Sequence, residues 1–188
     1  GHRLAMATHE GELAGVRSDL QVILPRKGVL ELVRLLQSPD DQVRLVLGGN
    51  HFHAITPDFT FTSKLVDGKF PEYERVLPRD ADKTLLASRV ELKDALARAS
   101  ILSNEKYRGV RLILDEDNLQ IVANNPEQEE AEEMVGVHYS GSRVEIGFNV
   151  GYLIDVLSVL GSEEVRFQLS DGSRSVLIED PGRSDAVY

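Results

Sequence analysis

The residues of this sequence that could do chemistry are its histidines and its clustered carboxylates. His51 and His53 are one residue apart, so on a strand both rings would share a face and could bind a metal ion. No third ligand stands near them in the sequence, and two ligands of one type rarely complete a coordination shell. We therefore interpret both as surface residues. His2, His9 and His138 have no evident partner and are interpreted in the same way.

The densest charge cluster is the glutamate-rich run 127–133. It lacks the ordered aspartates and the turn glycine of a calcium loop. Two interpretations stay open: a solvated acidic edge, or an edge strand whose charges discourage indiscriminate pairing while favouring one basic partner. A third, a hydrolase site formed by these glutamates and His138, has no spacing in its favour.

The usual signatures of catalysis and nucleotide binding are missing from the sequence. It contains no G-x-S-x-G, H-E-x-x-H, P-loop or G-x-G-x-x-G motif. The absence of cysteine excludes disulfides, thiolate metal ligands and cysteine nucleophiles. We expect neither enzyme activity nor a metal ion or other cofactor.

The composition limits how the protein could meet nucleic acid. The chain has 188 residues and a formal net charge of -10, which argues against wrapping DNA over the whole surface. It does not exclude one basic face on an acidic body. No apolar run is long enough to span a membrane, and no signal-peptide core begins the chain, so we expect a cytosolic protein. Gly1 in place of Met suggests a chain that begins within a domain.

The elements that must position these side chains form a repeated unit. Three segments, beginning at Val43, Val110 and Val165, start with Val-Arg, alternate apolar residues and lead into a polar turn, which predicts antiparallel hairpins. A helical pattern with apolar residues at i, i+3, i+4 and i+7 precedes each hairpin. The apolar faces are Val29, Leu32, Val33 and Leu36; Leu92, Ala95, Leu96 and Ala99; and Val150, Leu153, Ile154 and Leu157.

The order of the elements predicts the fold class and the domains. A short extended run precedes every helix, at 20–24, 84–87 and 143–148, so the unit is strand, helix, then several strands. Units this far apart are repeated half-domains rather than the small repeats of a solenoid. The fold class is α+β. The polar, proline-containing stretch 77–83 predicts a boundary near residue 79, which divides the chain into domains 1–79 and 80–188.

The first two helices carry basic residues on their outward faces. A helix that buries one face against a sheet leaves the other for solvent or a partner, so these faces could contact phosphates. Without the repeat, an ordinary solvated face would be the favoured interpretation. The basic residues are Arg26, Lys27, Arg34, Lys93 and Arg98.

Strings along nearly the whole chain resemble the bacterial DNA polymerase III beta subunit family, the sliding clamps. They include Gly1-His2-Arg3-Leu4-Ala5, Pro25-Arg26-Lys27-Gly28, the stretch 61–68, Ile101-Leu102-Ser103-Asn104-Glu105-Lys106 and the stretches 123–127 and 146–150. The resemblance implies a DNA-clamp fold of repeated half-domains, with helices on the inner face and antiparallel sheets outside. Residues 1–79 would be the C-terminal part of the clamp middle domain, and 80–188 the clamp C-terminal domain.

The resemblance also implies a role and partners. It implies three-domain subunits joined head to tail as a homodimeric ring, which encircles duplex DNA independently of sequence. The ring would be a non-enzymatic processivity factor, cytoplasmic at the nucleoid, that tethers the DNA polymerase III catalytic subunit, the clamp loader and other replication or repair proteins through short peptide motifs. The alternative is an acidic interaction scaffold that does not bind DNA.

Two sites follow from the resemblance: a peptide pocket between the middle and C-terminal domains, and a subunit contact. The pocket residues are Gly1, His2, Arg3, Leu4, Pro71, Arg75, Val76, Tyr107, Asn149, Tyr152, Ser173 and Ser175. The subunit contact is Ile101, Leu102, Glu127 and Glu130. The sequence departs from the family where Ser173 stands in place of an expected apolar residue and where Tyr107 stands at a position that also takes Phe. It also ends at Tyr188, so the final Met- and Pro-containing strand of the family is expected to be missing from domain 80–188.

Overall fold

The computed structural model describes residues 3–11, 15, 19–38, 40, 42–78, 80–183 and 186–187. The chain divides into two compact units, a smaller one of Glu12–Glu72 and a larger one of Gly1–Gly11 with Tyr73–Tyr188. In chain order the elements are β1 (Met6–Ala7), α1 (Arg26–Leu35), β2 (Arg44–Gly48), β3 (His51–Ile55), β4 (Thr60–Lys64), a 3-10 turn (Tyr73–Arg75), β5 (Lys83–Ser88), α2 (Arg89–Ser100), β6 (Gly109–Asp115), β7 (Asn118–Asn124), β8 (Glu130–Gly136), β9 (His138–Ser140), β10 (Val144–Asn149), α3 (Val150–Val159), β11 (Glu164–Leu169), β12 (Leu177–Glu179) and β13 (Ala186–Val187).

The smaller unit contains helix α1 and the antiparallel sheet β2-β3-β4. Alternate residues of the central strand, Phe52 and Ala54, are buried, as the period of a strand requires. Gly28 is the buried residue of α1, and a Cβ there would lie only 2.8 Å from Ser63 Oγ. The missing side chain therefore lets α1 pack closely on β4.

Two details of the smaller unit differ from the sequence-based expectation. Val29 and Val33, expected on the buried face of α1, are 42% and 68% exposed, because a three-stranded sheet covers only part of the helix. The stretch 20–24, expected as an extended run, forms no strand among the described residues. Its backbone is held beside the sheet by a hydrogen bond that Val66 N donates to Ile23 O (2.9 Å).

The larger unit contains two antiparallel sheets, in the orders β1-β13-β12-β11-β5-β9 and β10-β6-β7-β8. The hairpins predicted from the repeated Val-Arg segments are confirmed, with Asp115 paired to Asn118 and Gln168 to Leu177. Residues from both sheets and from α2 and α3 form one continuous core. Its largest fully buried side chains include Leu85, Ile121 and Phe167.

Both helices of the larger unit begin with a side-chain cap. Ser88 Oγ accepts a hydrogen bond from Glu91 N at the start of α2 (3.4 Å), and Asn149 Oδ1 accepts one from Gly151 N at the start of α3 (2.9 Å). The predicted apolar face of α2 is fully buried, and three of the four residues predicted for α3 are buried, with Ile154 partly so. Helical spacing therefore identified both packing faces.

Arg89 joins the start of α2 to the end of α3. Its Nε donates to Ser162 O (2.7 Å), and a terminal nitrogen donates to Leu157 O (3.1 Å). The last carbonyls of a helix have no partner within the helix, so the bond to Leu157 O satisfies a group that would otherwise need water. One arginine thereby ties the end of α3 to the start of α2.

Candidate functional site

A cavity of about 780 Å³ opens in the larger unit, and all of its lining residues belong to that unit. Four parts of the chain form its wall: residues 3–6, residues 76–78, the end of β10 with one face of α3, and the turn before β12 with β12 itself. The first of these segments is held in place because β1 pairs with β13, which in turn pairs with β12. The cavity is therefore built from segments distant in sequence.

Most of the cavity wall is apolar. The face of α3 contributes Tyr152, Val156 and Val159, which follow the spacing of one helical face. Other parts of the wall include Leu4 and Val76, the latter 53% exposed. A concave apolar wall with a few polar groups is typical of sites that bind a small molecule or a peptide side chain.

A polar rim includes Arg3 and the turn that carries Ser173. Arg3 forms an ion pair with Asp155 of α3, and its guanidinium carbon lies 5.0 Å from the centre of the Tyr152 ring. At the turn, Ser173 donates to Asp171 Oδ1 through its backbone N (2.9 Å) and its Oγ (2.6 Å). These hydrogen bonds, with the nearby Arg174 guanidinium, lower the pKa of Asp171. The turn is thus ordered by its own side chains.

Gly172 allows this turn to lie directly on strand β10. A Cβ built at Gly172 would stand 2.1 Å from the backbone oxygen of Glu145, far inside contact distance. Glycine is required there for space. The close approach places the turn beside Ile146, and Ile146 and Phe148 line the same cavity as the turn.

Six of the residues predicted for the peptide pocket line this cavity: Arg3, Leu4, Val76, Tyr152, Ser173 and Ser175. Tyr107, Asn149 and Arg75 do not line it. Asn149 instead caps α3 and donates from Nδ2 to Tyr107 O (3.1 Å), so these two residues support the helix beside the cavity. Their place in a pocket, and that of Pro71, which belongs to the smaller unit, stay predictions. Gly1 and His2 lie outside the described residues.

Other lining residues were missed from the sequence, among them Met6, Pro78, Ile146 and Val176. The only feature of the sequence that could have identified these residues is their apolar character, which core residues share. Leu153 and Val156 show the difficulty, because each is buried and also borders the cavity. Periodicity finds an apolar face but does not distinguish core from cavity wall.

The five predicted phosphate-facing cations differ in their surroundings. Arg26 and Lys27 are exposed on the first turn of α1, and Lys93 on α2 is half-buried. Arg34 donates from Nε and a terminal nitrogen to Glu31 (3.1 and 2.8 Å). The fifth cation, Arg98 of α2, also forms an ion pair.

That fifth cation, Arg98, forms two parallel hydrogen bonds with Glu133 of β8 (2.9 and 2.7 Å). The hydrogen bond to Glu133 raises the pKa of Arg98, and the same bond lowers the pKa of Glu133. The charges of Arg34 and Arg98 are therefore each balanced by a carboxylate of this chain.

The residues predicted for subunit contact lie at an edge of the larger unit. Ile101, just after α2, is 78% exposed, whereas Leu102 is half-buried. Within the acidic run, 130–133 begin β8, which ends its sheet in the described structure, so this part of the run lies in an edge strand. Its preference for one basic partner edge stays a prediction. Glu130 accepts a hydrogen bond from Asn124 Nδ2 (2.8 Å), and Glu127 is exposed in the preceding turn.

The two neighbouring histidines share one face of β3, as alternation requires. The His51 and His53 rings stack with centres 6.3 Å apart, and His53 Nδ1 lies 2.8 Å from Thr62 Oγ1. Among the described residues, no three His, Cys, Asp or Glu side chains are grouped so that they could hold a metal ion. In the same part of the chain, every helix is too short or too polar to cross a membrane.

Comparisons with known proteins cover the whole chain. The family profile for the DNA polymerase III beta subunit, central domain, matches residues 1–72, and that for its C-terminal domain matches residues 74–188. The chain is 56% identical over 188 residues to the beta sliding clamp of Pseudomonas aeruginosa and 54% identical to that of Escherichia coli (strain K12). Each alignment covers 100% of this chain and 51% of the relative, so the chain spans about half the length of these curated relatives.

Among solved structures, sliding clamps also match this chain. A crystal structure of a sliding clamp from Pseudomonas aeruginosa bound to griselimycin matches with a TM-score of 0.86 and 59% identity, over 88% of this chain and 45% of that one. The beta sliding clamp of C. crescentus matches with a TM-score of 0.93 and 34% identity, over 100% of this chain and 50% of that one. The profiles, the curated relatives and the structures agree, and the chain belongs to the DNA polymerase III beta subunit family, the beta sliding clamps.

Proposed function

We propose that this chain acts as part of a DNA sliding clamp, a ring that encircles duplex DNA and tethers the replicative polymerase and other DNA enzymes without catalysing a reaction. Family membership and the repeated strand, helix and strands unit support this proposal. The observation that carries the tethering role is the cavity of the larger unit, whose wall is mostly apolar and includes a few polar and charged side chains. The protein acts in the cytoplasm, at the nucleoid.

The cavity binds a short peptide segment of each partner, with Gln, Leu and Phe among its side chains. Leu4, Val76 and Tyr152 supply the apolar contacts, since a few buried anchors carry most of the energy of such an interface. The related sliding clamp from Pseudomonas aeruginosa that carries bound griselimycin supports the presence of a ligand site in the family.

Exposed cations of α1 and the half-buried Lys93 of α2 face the DNA, and the contact is weak. Arg26, Lys27 and Lys93 are the candidates, because Arg34 and Arg98 are already paired with carboxylates. Weak, sequence-independent attraction suits a ring that must slide, since retention comes from enclosure and the phosphate contacts add only a salt-dependent term. An acidic chain can therefore hold DNA in this way.

Subunits close the ring through the edge that carries Ile101 and the acidic strand β8. A large exposed apolar side chain beside an open strand edge is typical of an interaction surface. Glu127 and Glu130 would guide a basic partner edge into place, because complementary charge favours one pairing over others.

Titration calorimetry with the peptide acetyl-Gln-Leu-Ala-Leu-Phe-amide tests the tethering role. We expect a micromolar dissociation constant, about -8 kcal/mol, and a loss of about 2 kcal/mol in Val76→Ala and in Leu4→Ala. His51→Ala, on the other unit, is the control and should bind as the wild type does. Equal affinity of all four proteins would place the peptide elsewhere and refute the assignment of the cavity.

The second candidate is an acidic interaction scaffold that does not bind DNA. The observation in its favour is the internal pairing of Arg34 and Arg98. Retention of the full-length protein on closed circular DNA, with release after linearisation, distinguishes the clamp from the scaffold. A scaffold would show neither behaviour.

A further inference from the structure

The positive charges at the polar rim of the cavity are neutralised by carboxylates of the same chain. The described lining residues include two arginines, Arg3 and Arg174. Arg3 forms an ion pair with Asp155, and Arg174 Nε lies 3.2 Å from Asp171 Oδ2. A ligand that enters the cavity therefore meets arginines that already have carboxylate partners.

One turn of α3 holds Arg3 in place. Tyr152 and Asp155 are three residues apart, so both side chains project from the same face of the helix. The ring of Tyr152 lies 5.0 Å from the guanidinium carbon, within the range of a cation–π contact, while Asp155 accepts a hydrogen bond from a terminal nitrogen. Loss of one of these two contacts would leave Arg3 held by the other.

The exposure of the pair decides how it affects a ligand. The side chains of Arg3 and Asp155 are 51% and 61% exposed, so a ligand carboxylate can reach the guanidinium. Exposed ion pairs are weak, and a ligand carboxylate would exchange one such pair for another with little net gain. An arginine without Asp155 would instead attract an acidic ligand. Asp155 thus suppresses a charge preference that Arg3 alone would give the cavity.

We infer that Asp155 is a specificity-determining residue, which occupies Arg3 and so makes the cavity select apolar peptides regardless of acidic groups at this rim. The inference rests on the proposed peptide-binding function and defines the class of peptide. Affinity for that class comes from apolar contacts with the wall, whereas an added carboxylate contributes almost nothing while Asp155 is present.

Three matched peptides test the inference on the full chain by titration calorimetry. The neutral probe is acetyl-Gln-Leu-Ala-Leu-Phe-amide, and the acidic probes carry Glu in place of Gln or a free C-terminal carboxylate. The wild type should bind all three within about twofold. In Asp155→Asn at least one acidic peptide should gain about three- to fivefold over the neutral one, the size of one exposed ion pair. High salt should abolish the gain.

Two further variants serve as controls. Asp94→Asn makes the same chemical change at an exposed position on α2 outside the cavity, and it should leave the ratio of the affinities unchanged. Arg3→Gln combined with Asp155→Asn should bind the three peptides alike, because the cation is gone. Equal shifts for all three peptides in Asp155→Asn would show a merely structural role and overturn the inference. If the neutral peptide failed to bind the wild type, the proposed function would fall, and this inference with it.

Discussion

Replacing Gly172 with alanine is the sharpest test of how the cavity wall is held. The new Cβ would stand 2.1 Å from Glu145 O, whereas real Cβ contacts essentially never fall below 3.0 Å, so the turn must move by at least about 0.9 Å. The Glu145 carbonyl belongs to the backbone of β10, which is paired with β6, so it cannot rotate away from the new Cβ. Forcing extra volume into such a contact costs about 1–3 kcal/mol of folding free energy.

The displaced turn carries Ser173 and Ser175 away from α3, so peptide affinity should fall about tenfold, or ~1.4 kcal/mol. Urea unfolding gives the loss of stability, and titration calorimetry with the neutral peptide gives the loss of affinity. Gly109→Ala is the matched control, because a Cβ there meets no atom within 4 Å, and it should change neither quantity strongly. A Gly172→Ala protein as stable and as tightly binding as the wild type would show that the turn does not lie on β10.

Three further substitutions test other parts of the molecule. Lys27→Glu combined with Lys93→Glu should weaken retention of the full-length protein on circular DNA and reduce its salt dependence, and unchanged retention at low salt would contradict the DNA-facing role. Ile101→Asp should shift full-length dimer towards monomer in sedimentation, and an unaltered dimer would refute that contact. Asp180→Asn should lower the unfolding free energy by about 2 kcal/mol at neutral pH, because the buried carboxylate accepts hydrogen bonds from Gly161 and Ser162. Burial raises the pKa of Asp180, but these bonds outweigh it and leave the pKa lowered. The stabilisation is therefore complete above the pKa of an unfolded aspartate and is lost as the pH falls through the lowered value, so urea unfolding should show the two proteins converging in acid.

The sequence predicted the elements whose information is local. Alternation and turn residues located the hairpins at Asp115–Asn118 and Gln168–Leu177, and helical spacing located the buried face of α2. Prediction was weaker for α1, where Val33 is exposed, because periodicity shows that a helix has an apolar side but not how much sheet covers it.

The cavity could be predicted only through the family resemblance, since its wall depends on contacts between distant residues. The segment 3–6 reaches the cavity because Met6 pairs with Val187, at the other end of the chain. The close approach of Gly172 to β10 and the Arg98–Glu133 pair also join residues far apart in sequence. Spacing along the chain contains no signal for such contacts.

Comparison of α2 with α3 shows how one repeated unit can serve two purposes. Both helices begin with a side-chain cap, bury one apolar face and precede a Val-Arg hairpin, so the buried half of the unit follows the same plan. Their other sides differ, since α2 carries Lys93, Asp94 and Arg98, whereas α3 presents Tyr152 and Val159 to the cavity. Apolar residues on the second side of a helix are costly unless another segment or a ligand covers them. Residues 3–6 and the turn at Gly172 cover α3 only in part, and the space that they leave is where we expect the peptide to bind.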